Sequence, residues 1–189
     1  MMNTNLENYI FKIEKVFDKN FCTNTINSLS NYDWTQHHFY SPDKGYHTRV
    51  DEKELEVSHN IKNEYSEKIM QEIWYCLKKF MNNYNFKWYQ SWNSYSPVRF
   101  NRYKENRIMD EHCDHISDLF EGSNKGIPIL SILGLLNDDF EGGELIFFQN
   151  KKIEFNQGDV LIFPSNFLFP HKVEPVKKGT RYSFISWSW

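Results

Sequence analysis

The sequence predicts a mainly β fold, a jelly roll of about eight strands with N-terminal helices packed against it. Between Ile61 and Tyr84, apolar residues recur mostly four apart, at Ile61, Tyr65, Ile69, Ile73, Leu77, Phe80 and Tyr84, which is the stripe of an amphipathic helix. Beyond residue 95 that period stops, and short runs rich in Val, Ile, Phe and Tyr alternate with Gly, Asn and Asp. The chain has 189 residues, near the size of one domain, and no Pro/Gly/Ser-rich linker or internal repeat divides it. Residues 1–189 are therefore expected to form a single domain, with 1–95 as a helical support region and 96–189 as the β core.

Taken in order, the first helix is expected over 19–31, where Phe21, Cys22, Ile26 and Leu29 fall at helical spacing. The second covers 61–84, with Ser58 as its expected N-cap. Strands are expected at 97–103, 108–116, 127–136, 144–148, 152–155, 159–164, 170–176 and 180–189. The breaks 122-GSNKG-126, 137-NDDFEGG-143, 156-NQGD-159 and 177-KKGT-180 carry turn residues, so Gly142, Gly143 and Gly158 are expected as turn glycines.

Composition narrows the function. With 40% hydrophobic residues but 17% aromatic ones, Phe, Tyr and Trp must supply much of the buried area. A net charge of −3 and isolated Lys pairs at 151–152 and 177–178 form no basic stripe, so no nucleic-acid partner is expected. Cys22, Cys76 and Cys113 stand singly without CxxC spacing, which argues against a disulfide framework or a structural zinc site and suits a reducing compartment. The start, MMNTNLENYIFKIEKVF, mixes acidic and apolar residues, so neither a signal peptide nor a membrane span is expected. The expected location is cytoplasmic.

Among the histidines, His37, His38, His47 and His59 lie in polar or loop-like sequence and are not expected to carry function. The stretch 109-MDEHCDHI-116 is different. In an extended strand residues i and i+2 share a face, so His112 and Asp114 would converge on one side and Cys113 and His115 on the other. Two ligand pairs are thus in competition. His171 would add a third donor, and two His with one carboxylate suit a non-haem Fe(II) centre with open positions, although zinc takes the same set. Arg181, ten residues after His171, would face the barrel interior at the start of the last strand. No acidic residue accompanies it in 178-KGTRYSF-184, so a ligand carboxylate would be its partner.

These residues resemble the iron- and 2-oxoglutarate-dependent dioxygenases, in particular the prolyl 4-hydroxylase-like branch. The family's order of His-x-Asp, a distant His and a basic residue after it reads here as His112-Cys-Asp114, His171 and Arg181, accompanied by 142-GGELIFF-148, 158-GDVLIFPS-165 and 171-HKVEPVKKGTRYSFISW-187. The resemblance covers residues 96–189 and implies a double-stranded β-helix, a cupin-like jelly roll. It implies that His112, Asp114 and His171 bind Fe(II), that Arg181 holds the distal carboxylate of 2-oxoglutarate, and that Tyr103 hydrogen-bonds this cosubstrate. Trp187 would stand near the pocket. The implied activity is hydroxylation of an unactivated C–H bond, first a peptidyl proline, with O2 consumed, 2-oxoglutarate converted to succinate and CO2, and ascorbate as a stimulant. Rival readings are a free amino acid or other small molecule as substrate of the same site, and a non-catalytic metal-binding jelly-roll module.

The chain departs from the family pattern in three places. Asn106 stands where the family has Gly, and Asn tolerates a left-handed turn. Met109 replaces a second Tyr and weakens hydrogen bonding on the substrate side. Arg181 stands where collagen-type enzymes carry Lys. Substrate choice is expected in the segments 35–50 and 116–126, the first of them a lid over the metal.

Overall fold

The structure is a computed structural model that describes residues 5–40, 48–50, 52–85, 94–114 and 127–189. Its first half contains β1 (Phe11–Ile13), α1 (Lys19–Ser28), β2 (Thr35–Gln36), β3 (His38–Tyr40), β4 (Thr48–Val50), β5 (Glu56–Ser58) and α2 (Glu64–Tyr84). The second half is all strand: β6 (Arg99–Tyr103), β7 (Met109–His112), β8 (Leu130–Leu135), β9 (Glu141–Gly142), β10 (Leu145–Phe147), β11 (Lys151–Lys152), β12 (Val160–Pro164), β13 (His171–Val173), β14 (Val176–Lys178) and β15 (Arg181–Ser188).

Two antiparallel sheets carry the architecture. The larger has the order β1-β12-β8-β15-β6-β5-β2 and the smaller β11-β10-β13-β7. The two-residue period of a strand explains why the larger sheet is buried on both faces. Phe100, Ile132, Val160, Ile162 and Phe184 point outward and pack with Cys22, Ile69, Ile73, Leu77 and Phe80 of the two helices. The alternate positions Tyr103, Leu133, Leu161, Phe163 and Ile185 point inward, against Met109, Leu145, Phe147 and Val173 of the smaller sheet. This inner layer is the interior of a double-stranded β-helix, as expected.

The helices form for local reasons. Asp18 caps α1 by accepting from the Phe21 amide at 2.8 Å. The cap of α2 is Asn63, not Ser58: Asn63 Oδ1 accepts from the Ser66 amide at 2.8 Å, and Ser66 Oγ accepts from the Asn63 amide at 3.1 Å. Ser58 instead lies in β5 and donates to the Asp33 carbonyl at 2.7 Å. This reciprocal pair is worth more than one hydroxyl, which moves the helix start past Ile61.

Several strand expectations need correction. The first 95 residues are not only helical, because β1, β2 and β5 extend the larger sheet at both edges. Among the described residues of the segment 108–116, strand ends at His112, so Asp114 lies in a bend beyond it. The segment 170–176 is broken into β13 and β14, and strand at 152–155 is reduced to the pair Lys151–Lys152. Residues 35–36 of the expected lid are sheet edge, and residues 41–47 lie outside the described residues, as do 115–126. Gly142, Gly143 and Gly158 take positive φ (79°, 62° and 85°), and Asn106 takes 65°; Gly143 and Gly158 lie between strands as expected, whereas Gly142 is the last residue of β9.

All three cysteines are free, with Cys22 and Cys76 buried in the helix-facing core, where burial pushes both thiols up to about 12 and leaves them inert. Among the described residues no helix is long and apolar enough to cross a membrane.

Gly134 sits at the centre of the larger sheet, opposite both Val160 and Phe184. The Phe184 ring reaches over it, into the space that a Cβ would take. Gly134→Ala is expected to force this ring off its rotamer and to lower the unfolding free energy by roughly 1–3 kcal/mol. Urea denaturation of the variant beside the parent checks this.

Candidate metal centre

Strand pairing builds the site. β7 and β13 run antiparallel with His112 directly opposite His171, and the two rings lie 4.4 Å apart. The chain bends just after β7 and turns the Asp114 carboxylate under the pair. Asp114 Oδ1 is 3.4 Å from His112 Nε2 and 3.9 Å from His171 Nε2. The three ligand atoms all lie within 4.8 Å of one another. Convergence of His112 and Asp114 was expected from strand alternation, but the bend achieves it. Cys113 is half-buried and outside the cluster, and His115 lies outside the described residues.

Both imidazoles are held the same way round. His112 Nδ1 bonds the Asp110 carbonyl at 2.7 Å, and His171 Nδ1 bonds the Phe169 carbonyl at 3.1 Å. A carbonyl only accepts, so each Nδ1 carries the proton and each Nε2 offers its lone pair to the cluster. Phe147 stacks on His171 at 5.1 Å and Phe163 meets it edge-on at 5.1 Å, which fixes the ring plane.

The electrostatics suit a cation. Asp114 is only 2% exposed. Burial by itself would raise its pKa, but the two imidazoles and the Ser131 hydroxyl beside it outweigh this and hold the carboxyl well below the usual range. Ser131 has one proton to give; donating it to Asp114 makes Ser165, 2.7 Å away, the donor of the next bond. His171 is lowered to about 4, first by burial and then by the neighbouring His112. A neutral imidazole and an ionised carboxylate are the protonation states that metal binding requires. The donor set fits Fe(II), and it equally fits the zinc alternative.

The same pocket runs between the sheets to Arg181, and its walls include Arg99, Asn101, Tyr103 and Met109. Arg181 is 1% exposed. Its Nη1 donates to Ser183 Oγ at 3.1 Å, and its Cζ lies 4.9 Å over the Tyr103 ring. Among the described residues no carboxylate reaches ion-pair distance of it. A buried guanidinium left in this state is a receptor for an anion. Tyr103 is paired opposite Arg181 across β6 and β15 and lines the same pocket. Trp187 is buried on the same inner face but is not itself a wall; its ring carries the Arg99 guanidinium at 5.0 Å. Sequence reasoning passed over Arg99. Its two-residue spacing from Asn101 and Tyr103 was the available signal, because all three must face one side of β6.

Residues 98–189, which hold every one of these groups, match the family model described as the 2OG-Fe(II) oxygenase superfamily. This stretch, just under half of the chain, is similar to members of that superfamily. Over 93 residues it is 37% identical to a PKHD-type hydroxylase of Idiomarina loihiensis, a match that covers 48% of this chain and 40% of the relative. A PKHD-type hydroxylase of Delftia acidovorans is 32% identical over 100 residues, covering 49% and 42%. The matches therefore span less than half the length of these curated relatives. Among solved structures, the viral collagen prolyl hydroxylase of Paramecium Bursaria Chlorella virus-1 superposes with a TM-score of 0.67 at 20% identity, covering 95% of this chain and 94% of that one. A prolyl hydroxylase of Trichoplax adhaerens, solved with a hypoxia inducible factor peptide fragment, gives 0.71 at 16% identity, covering 96% and 84%. Within the superfamily fold, the His-Asp-His cluster and Arg181 lie in one pocket between the two sheets.

The buried histidines set a pH dependence. His37 is lowered to about 3, first by burial and then by Arg99, and His171 to about 4, whereas both titrate near 6.5 when unfolded. The unfolded chain therefore takes up these protons first, so stability is full above about pH 6.5 and falls as pH drops toward 4. Asp114, shifted down, adds its loss only below about pH 4. In EDTA, urea unfolding at about pH 5 should show the protein less stable than at pH 7 by an amount on the order of 1–3 kcal/mol. A His171→Gln variant should show a smaller drop, and an equal drop would mean His171 is not held neutral.

Proposed function

We propose that this chain is the catalytic unit of an Fe(II)- and 2-oxoglutarate-dependent hydroxylase, with a peptidyl proline as the first substrate class. The observation that carries the reading is Arg181, a fully buried guanidinium with no carboxylate partner among the described residues, opening on the pocket that holds the His112, Asp114 and His171 cluster. A metal module without a cosubstrate has no use for that cation. The proline class is supported by the hydroxylase names of the sequence relatives and by the prolyl hydroxylases among the fold neighbours.

In this reading His112, Asp114 and His171 hold the ferrous ion, and Arg181 takes the distal carboxylate of 2-oxoglutarate. Bound together with O2, these groups supply the oxidising power: the cosubstrate leaves as succinate and CO2, and one oxygen atom enters the substrate C–H bond as hydroxyl. The chain's own residues do the positioning. The carbonyls of Asp110 and Phe169 keep both imidazoles in the metal-binding tautomer, and the Ser165–Ser131–Asp114 relay keeps the carboxylate ionised and aimed. Ser183 and the Tyr103 ring fix the plane of the Arg181 fork before the cosubstrate arrives, which reduces the ordering cost of binding. The apolar walls formed by Leu133, Leu145, Val173 and Ile185 exclude water from the reacting centre.

The test is succinate formation from 2-oxoglutarate by the purified protein with Fe(II), ascorbate and a panel of proline peptides. Absence of both turnover and cosubstrate binding would overturn the reading, and binding without turnover would favour the non-catalytic module. Arg181→Ala should weaken 2-oxoglutarate binding by about 10- to 100-fold, as expected for lost hydrogen bonds to a charged group, while the metal content stays near the parent's. An unchanged cosubstrate affinity in calorimetry removes the role given to Arg181.

A further inference from the structure

The pocket contains a second arginine that the reaction outlined above does not use. On β6, Arg99, Asn101 and Tyr103 share the inward face, and the register with β15 sets Tyr103 opposite Arg181, Asn101 opposite Ser183 and Arg99 opposite Ile185. Four residues of strand separate the Arg181 rung from the Arg99 rung, about 13 Å at the usual rise. The two arginines thus start from opposite ends of one lining, with Tyr103 feeling both charges.

The Arg99 end is the metal end. Trp187, which carries the Arg99 guanidinium, pairs across β15 and β8 with Ser131, and Ser131 donates to Asp114. Tyr103 acts electrostatically on both arginines, and Asp114 acts after it on Arg99 but not on Arg181. Arg99 is also fixed in orientation. Its Nε donates to Asn101 Oδ1 at 3.1 Å, and Trp187 lies beneath the plane of the group at 5.0 Å. Neither contact uses the two terminal nitrogens, and no carboxylate among the described residues reaches ion-pair distance. A planar fork held at its neck with its ends free is the geometry that receives a carboxylate through two parallel hydrogen bonds.

Charge balance points the same way. Among the described residues, the charged side chains lining the pocket are Arg99, Arg181 and Asp114, which leave one surplus positive charge. A ferrous ion and a doubly charged cosubstrate cancel each other, so the surplus survives their binding. With Arg181 occupied, the uncompensated cation is Arg99, next to the reacting centre and half-buried among Leu133 and Ile185.

We infer that Arg99 determines substrate specificity by binding a carboxylate of the substrate beside the metal cluster, so that the hydroxylated molecule is an anion at that point. Resting on the hydroxylase reading, this narrows its substrate class: the carboxylate comes either from a free amino acid or from an acidic residue or chain end of a peptide.

The experiment uses the full chain with Mn(II) and saturating 2-oxoglutarate, and titrates matched probes by calorimetry. One arm compares L-proline with L-prolinamide; the other compares proline peptides carrying Glu with the same peptides carrying Gln. In at least one arm the carboxylate member should bind tighter by about tenfold or more, and Arg99→Gln should reduce that preference to about twofold or less. Arg99→Lys, which keeps the charge but loses the fork, should retain part of the preference and shows that the loss does not come from misfolding. The arm that responds names the source of the carboxylate. No discrimination in either arm, whether both members bind alike or neither binds, overturns the inference. So does a loss of 2-oxoglutarate affinity in Arg99→Gln comparable to that in Arg181→Ala, since Arg99 would then belong to the cosubstrate. Failure of the unmodified protein to bind 2-oxoglutarate at all overturns the hydroxylase reading instead, and is read in the same titration before any probe is added.

Discussion

The arrangement around Asp114 depends on one requirement, that an ionised carboxylate sealed between two sheets must be compensated on every side. Burial alone would protonate it. Ser131 comes from the centre of the larger sheet and donates to its Oδ2, while His112 and His171 come from paired strands of the smaller sheet to its Oδ1, the side that a bound cation would compensate. Each neighbouring group is held in turn, the imidazoles by the carbonyls two residues before them and Ser131 by Ser165. One carboxylate thus ties β7, β8 and β13 together at the place where the two sheets meet.

The remainder of the inner face is divided by the strand period. On β8 and β15 successive residues serve two cores: Ile132 and Phe184 face the helices, and Leu133 and Ile185 face the pocket. This explains why the helices must cover the outer face, which would otherwise expose a sheet of large apolar side chains. It also explains why Gly134 lacks a side chain, since the Phe184 ring reaches across it to meet Phe17 at 5.8 Å. Function and stability are written on alternate residues of the same strands.

Between the cores, β6 and β15 present polar groups at successive rungs of the inner face: Tyr103 with Arg181, Asn101 with Ser183, then Arg99 beside Ile185. Such a ladder is costly in a closed interior, because two guanidiniums lose hydration and find no carboxylate among the described residues. The cost makes sense when anions are the intended occupants. Trp187 and Tyr103 offset part of it by presenting ring faces to the two cations.

Sequence by itself determined the change from helical to strand period near residue 95, the positions of the positive-φ glycines, and His112, Asp114, His171 and Arg181 as the candidates for the site, because these signals are local or belong to a motif with fixed order. It also contained Arg99 in phase with Tyr103, but a lone arginine in a strand has no meaning until its neighbours are known. Only the tertiary structure decided that His112 stands opposite His171, that a bend rather than a strand delivers Asp114, and that Asn63 displaces Ser58 as a helix cap. Tertiary structure likewise drew three short N-terminal strands into the larger sheet. The physical reason is common to all of them. Each is settled by partners distant in sequence or by competition between nearby hydrogen bonds, and a strand of two or three residues has no period of its own to read.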